Sequence, residues 1–143
     1  MDELRPVMDV GEVEAFLRRE FPQMYLDGEV FSIQAIGSGT ARIGLDPLDR
    51  HLRPGGTVSG PTLFTLADVG AYVVTLCHVG PVALAVTTNL NIDFLRRPER
   101  GALRCDARIL KLGRRLVVIG IEIVDARDRL VSHATATYSL PPR

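Results

Sequence analysis

The chain has no tryptophan, only two cysteines, and no excess of either charge among its 143 residues. Each absence narrows the field. Seventeen basic side chains cancel seventeen acidic ones, so no global field favours nucleic acid or an anionic membrane. Cys77 and Cys105 show no metal-ligand spacing and read as reduced thiols of a cytosolic protein. Neither do any two of the three histidines, His51, His78 and His133. A Gly-x-Ser-x-Gly elbow and a phosphate-binding loop are also missing, so neither a metal nor a resident cofactor is expected. The opening MDELRPVMDV lacks an apolar signal core, and no apolar run approaches the ~18 residues of a membrane span. A soluble cytoplasmic protein with no membrane partner is the expectation.

What the chain does have is one long apolar stretch, RPGGTVSGPTLFTLADVGAYVVTLCH, from Arg53 to His78. A glycine-rich turn opens it. A helix follows with Ser59 or Gly60 at the cap and Pro61 in the first turn, where a missing N–H costs nothing. Leu63, Leu66, Ala67, Gly70, Val74 and Cys77 recur at helical spacing. The opposite face, through Phe64, Ala71 and Leu76, is hardly more polar, so burial on nearly all sides is expected. Asp68 is the only carboxylate within it. A lone carboxylate in such a helix costs several kcal/mol unless it is hydrogen-bonded or paired, for instance with Arg53, which makes it the leading functional candidate.

The rest of the chain is arranged around that helix. Asp9 and Glu12 form a capping box for a short N-terminal helix with Val13, Phe16, Leu17 and Phe21 on one side, stopped by Pro22 and read as a lid on the body. From Tyr25 the period changes to two, and the Gly37–Gly39 turn makes a hairpin with TARIGLD. Asp46 to Gly56 is a long loop. After VGP come four strands, ALAVTTNLNIDFL, GALRCDARILKLG, RRLVVIGIEIVDA and LVSHATATYSL, joined by short turns and therefore antiparallel. A polar PPR tail follows. This is one α+β domain over residues 1–143, with a helical extension (1–22) and a core (30–139) whose sheet must curl round the apolar helix. Small residues at Ala67, Gly70 and Ala71 suit that wrapping, which is the form of the hotdog fold.

GGTVSGPTLFTLAD resembles the acyl-CoA thioesterases of the phenylacetate-pathway (PaaI-like) type within the hotdog superfamily. Their signature is an Asn, a Gly three residues on, then His-Gly-Gly, then an acidic residue nine positions after the His. Gly56, Gly60 and Asp68 fall on matching positions, and TTNLNIDFLRRP is similar to the family's third-strand pattern. Arg53 stands in place of the Asn, Ser59 in place of the His, and Pro61 in place of the second Gly. The resemblance implies hydrolysis of small or aromatic acyl-CoA thioesters. It also implies that a hydroxyl at Thr87 positions the attacking water, and that homodimers or dimers of dimers carry interface sites. Arg53 either substitutes for the lost donor or binds a substrate carboxylate, and Ser59 still caps the helix. A non-catalytic acyl-CoA or acyl-carrier module and a hotdog hydratase of enoyl or 3-hydroxyacyl thioesters are the alternatives.

The chemistry follows from residue types. The Gly60 N–H, at the positive end of the helix dipole, would hold the thioester carbonyl, and Asp68 would activate water or attack directly. Gly60 and Asp68 are separated by about 12 Å of helical rise, too far for one reacting carbonyl, so the two groups are expected from two subunits. Thr65 and Tyr72, at i−3 and i+4, could reach the face of Asp68. Thr87, Asn89 and Asn91 share one strand face by period two and would form a site wall. Arg96, Arg97, Arg100, Lys111, Arg114 and Arg115 lie at turns and strand ends where coenzyme A phosphates could bind. His51 could act as a second acid or base, His78 would favour the helix C-terminus, and His133 would sit on a strand surface.

Overall fold

In the computed structural model residues 4–142 are described; Met1–Glu3 and Arg143, and with them the outer ends of the acidic N-terminus and of the PPR tail, lie outside them. Helix α1 (Val10–Glu20) starts at a complete capping box: the Asp9 side chain accepts from the Glu12 N–H, and the Glu12 side chain accepts from the Asp9 N–H. Its buried stripe is Val13, Phe16 and Leu17. Pro22 opens a 3₁₀ turn through Tyr25, so period-two structure begins only at β1 (Phe31–Gly37) rather than at Tyr25. Strand β2 (Thr40–Leu45) completes the hairpin.

Helix α2 (Gly60–Val79) is the core. Strands β3 (Val86–Phe94), β4 (Leu103–Leu112), β5 (Leu116–Val124) and β6 (Leu130–Ser139) complete one antiparallel sheet in the order β1-β2-β4-β5-β6-β3. Strand β3 does not pair with β4, its successor in the chain. It crosses to the far edge and pairs with β6 alone among the described strands. Rows of inward residues such as Ala41, Ala107, Ile121 and Ala134 line the surface that receives α2. The helix lies tight against β4 at Gly70, where a Cβ would stand 2.6 Å from Cys105 Sγ, so any side chain there must push that thiol aside.

Burial of α2 is complete from Val69 to His78 but not before it. Pro61, Phe64 and Thr65 are exposed and Asp68 is half-buried, a flank at helical spacing that the sheet leaves open. Among the described helices α2 is also the one long and apolar enough to span a membrane by composition, contrary to the sequence expectation; most of it is enclosed by the sheet. His78 departs from its expected role as well. Its Nε2 accepts from the Gly39 N–H at 2.8 Å, which leaves Nδ1 to carry the proton and donate to the Val74 carbonyl at 2.8 Å. It is a buried neutral tie between the end of α2 and the hairpin turn.

Candidate functional site

Local chemistry sets the start of α2. Ser59 is the N-cap, its Oγ accepting from the Thr62 N–H, and Pro61 occupies the first turn. Gly60 follows the cap, and its N–H has no acceptor among the described residues. Two loops hold this end in place. Leu52 bridges Val58, Thr57 bridges Glu99, and the Val58 N–H donates to the Pro98 carbonyl. Gly56, at φ +80°, closes the turn by donating to the Arg53 carbonyl.

Asp68 is held from the sheet. Its Oδ1 accepts from Thr87 Oγ1 at 2.6 Å and from the Tyr138 hydroxyl at 2.7 Å, and that hydroxyl also lies 3.1 Å from the Asp68 carbonyl. Both donors converge on one oxygen. Oδ2 therefore has no protein donor among the described residues and is free to face a ligand. Burial, and then the negative charge of Asp68, push the Tyr138 phenol well above its ordinary range, so it stays a donor.

Tyr138 is the residue that sequence reasoning missed. The available signal was its place on the inward face of β6, in phase with Ala134 and Ala136, since a buried tyrosine hydroxyl wants a partner. Tyr72 takes a different role from the one expected. Its hydroxyl donates to the Ala83 carbonyl at 3.1 Å, not to Asp68. Its ring stacks on Tyr138 at 6.0 Å and 25°, with Phe21 edge-on behind it, also at 6.0 Å. Thr65 likewise turns away from Asp68 and donates to the Pro61 carbonyl at 3.0 Å.

Strand β3 brings Thr87 to the site but not Asn89. Thr87 pairs with Tyr138, whereas Asn89 pairs with Thr137, so Thr88 is an extra residue, a β-bulge. The bulge reverses the alternation. Thr87, Leu90 and Ile92 face α2, and Asn89 and Asn91 lie on the outer face with Thr137 and Thr135. The three polar residues expected on one wall are thus divided between two faces.

The arginines divide too. Arg53, Arg96 and Arg97 are exposed, make no ion pair with any described residue, and sit on the two stitched loops at the N-terminal end of α2. Arg100 is tied to Asp49. Arg114 and Arg115 occupy the β4–β5 turn at the opposite end of the sheet, a strand length of roughly 30 Å away in the same subunit. Arg115 donates to the Leu140 carbonyl, and Lys111 is exposed on β4. One subunit cannot gather both groups around one phosphate. Among the described residues no cluster of His, Cys, Asp and Glu could hold a metal ion.

A cavity of about 410 Å³ runs beside the exposed flank of α2, from Ser59 to Val69, and is closed on the other side by Phe21, Met24 and Phe31. His51 lines it from the loop. Burial and the Arg50 charge lower the pKa of His51, with Asp27 opposing, so it is held neutral.

Comparison with known proteins agrees with the fold. Residues 55–132 match the family described as the thioesterase superfamily. The crystal structure of a "putative thioesterase" from Silicibacter sp. TM1040 is 47% identical, covering 97% of this chain and 96% of that one, with a TM-score of 0.87. The "putative esterase SSO1253" of Saccharolobus solfataricus is 28% identical, covering 94% of this chain and 87% of its own length. A protein of Streptococcus mutans, solved bound to acetyl CoA, shares the fold at 24% identity and a TM-score of 0.72, covering 80% of this chain and 91% of that one. The chain, a curled antiparallel sheet around one long helix, belongs to the thioesterase superfamily of hotdog proteins.

Proposed function

We propose that the protein hydrolyses small or aromatic acyl-CoA thioesters, as enzymes of the phenylacetate-pathway type do, with Asp68 as general base or nucleophile. One observation carries the reading: Oδ1 of Asp68 is fixed by two hydroxyls while Oδ2 is left open on the exposed flank of an otherwise apolar helix. A carboxylate anchored at one oxygen keeps the other in a fixed direction, which a base or nucleophile needs. The acetyl CoA held by the Streptococcus mutans relative supports coenzyme A as the carrier.

In the water route, Asp68 Oδ2 takes a proton as the water oxygen attacks the thioester carbonyl carbon. The oxyanion accepts from the Gly60 N–H at the positive helix end. Collapse of the tetrahedral intermediate breaks the C–S bond, and the departing thiolate takes the proton back to give coenzyme A thiol and a free acid. In the covalent route Oδ2 attacks the carbonyl carbon and the C–S bond breaks as coenzyme A thiolate leaves. Water then opens the mixed anhydride, giving the free acid and regenerating Asp68 while a water proton ends on the thiolate. No resident cofactor enters either route.

The two groups come from two subunits in this reading. Gly60 and Asp68 lie about 12 Å apart along one continuous helix. The outer edge of β3 has no strand beside it among the described residues, and the nearby Leu84, Val86, Phe94 and Leu95 are each more than half exposed. A nine-residue unprotected edge flanked by apolar side chains favours a second copy at that edge, with dimers of dimers beyond it. The loops bearing Arg53, Arg96 and Arg97 would then meet the nucleotide phosphates. The free thiols of Cys77 and Cys105 suit a cytoplasmic setting.

The test is thiol release from short, medium and aromatic acyl-CoAs by wild type and Asp68→Asn side by side. Turnover by the wild type and a loss of at least about a hundredfold in the folded variant are expected. Ligand binding with no turnover by either protein would replace this reading with a carrier-binding module.

A further inference from the structure

His51 is buried, at 6% exposure, and nearly every polar atom it has is used within its own loop. Its N–H donates to the Leu48 carbonyl at 2.9 Å. Its carbonyl accepts from the Ser59 N–H at 2.9 Å and from Thr62 Oγ1 at 3.4 Å. Nδ1 accepts from the Leu48 N–H at 2.8 Å, and an N–H cannot donate to a protonated nitrogen. In the neutral ring the proton is therefore on Nε2. That Nε2–H is the one polar group of His51 with no partner among the described residues, and the residue lines the cavity beside α2.

The Nε2–H is not one of the fully buried unpaired polar atoms, so it meets the open space of the cavity and can donate to an acceptor held there. The cavity is of ligand size, about 410 Å³. Phe21, Met24, Phe31 and Val69 give it apolar walls. Thr65, one turn before Asp68 at i−3, lines the cavity, so it reaches the helix turn next to the proposed chemistry.

We propose that this cavity receives the acyl part of the thioester and that His51 Nε2–H selects acyl groups bearing a second oxygen acceptor. The substrate class is an aryl or short acyl thioester whose far end carries a keto, ether or hydroxyl oxygen. The proposal rests on the thioester reading but adds a residue to it. Phe21 and Met24, from the segment that follows α1, form the far wall and limit acyl size. The N-terminal extension thereby becomes part of the specificity pocket.

The experiment compares isosteric pairs: benzoyl-CoAs bearing an acetyl or an isopropyl group at the ortho, meta or para position. At the position that reaches His51, wild type favours the acetyl member by about tenfold or more in kcat/KM, the worth of one buried hydrogen bond. His51→Asn keeps an acceptor for the Leu48 N–H but is too short to reach the cavity, and it brings the ratio to about one. His51→Gln, whose amide reaches further, restores part of it. A ratio of one in wild type at every position overturns the proposal. So does a ratio unchanged in His51→Asn, because a structural or oxyanion role lowers both members alike. Titrating the same pairs calorimetrically into Asp68→Asn separates the two readings. A tenfold affinity ratio there, without turnover in wild type, removes the hydrolase and leaves the pocket, whereas turnover with a ratio of one does the reverse.

Discussion

The two ends of α2 are built on opposite rules. At the C-terminal end polar groups are paired off, the buried Thr75 hydroxyl excepted: both nitrogens of His78 are engaged, the Cys77 carbonyl accepts from Val7 and Met8, and the Gly80 N–H closes on Leu76. At the N-terminal end they are left open: the Gly60 N–H, Asp68 Oδ2, His51 Nε2–H, and the side chains of Arg53, Arg96 and Arg97. A buried or half-buried polar group without a partner is costly, and a sequence that pairs nearly every polar group at one end of a helix can do the same at the other. The open end is where a ligand would complete the pairing. Architecture lives at one end of the helix and the open polar groups at the other.

The sharpest way to break this contrast is at the carboxylate. Asp68→Asn changes one atom, and we expect the hundredfold or greater loss of turnover with a melting temperature close to wild type. A variant that instead melted much earlier with its rate per folded molecule intact would move Asp68 to the architectural side. Next come its two donors. Tyr138→Phe or Thr87→Val removes one hydrogen bond to a charged oxygen, worth about 1.5–3 kcal/mol, so kcat/KM should fall ten- to about a hundredfold, and the double variant shows whether the donors act together.

At the opposite end the readout reverses. His78→Leu leaves the Gly39 N–H unanswered and should cost about 1–3 kcal/mol in urea unfolding while leaving kcat of the folded protein unchanged. The smallest effect is on pH. Because the pKa of His51 is lowered in the fold, protonation favours the unfolded chain. Its contribution is steady above the ordinary histidine value of about 6.5 and is lost as pH falls below it. The urea midpoint of wild type should therefore drop between pH 7.5 and 5.5 more than that of His51→Asn.

How much of this could be read in advance depended on whether the needed partner was local. The helix and strand periods, the Asp9 capping box, the Ser59 cap and the isolation of Asp68 are matters of near neighbours, and they were legible. Tyr138 meets Asp68 across seventy residues, and His78 meets Gly39 across thirty-nine; no spacing rule connects either pair. Asn89 was misassigned because strict alternation carries its side chain to the wall beside Thr87, and TTN contains no glycine to betray a bulge. The far placement of β3 was equally hidden, since short turns argue for neighbours and the β3–β4 connection crosses the sheet instead.

That bulge has an evolutionary consequence. With Leu90 and Ile92 held by the core, the bulge absorbs Thr88 and so lets Thr87 face inward as well. Loss of the Thr88 codon would restore regular alternation with every buried aliphatic in register and Thr87 still opposite Tyr138, facing inward. Chain length at this strand can thus change by one residue and leave the Thr87 hydroxyl, and with it the setting of Asp68, in place.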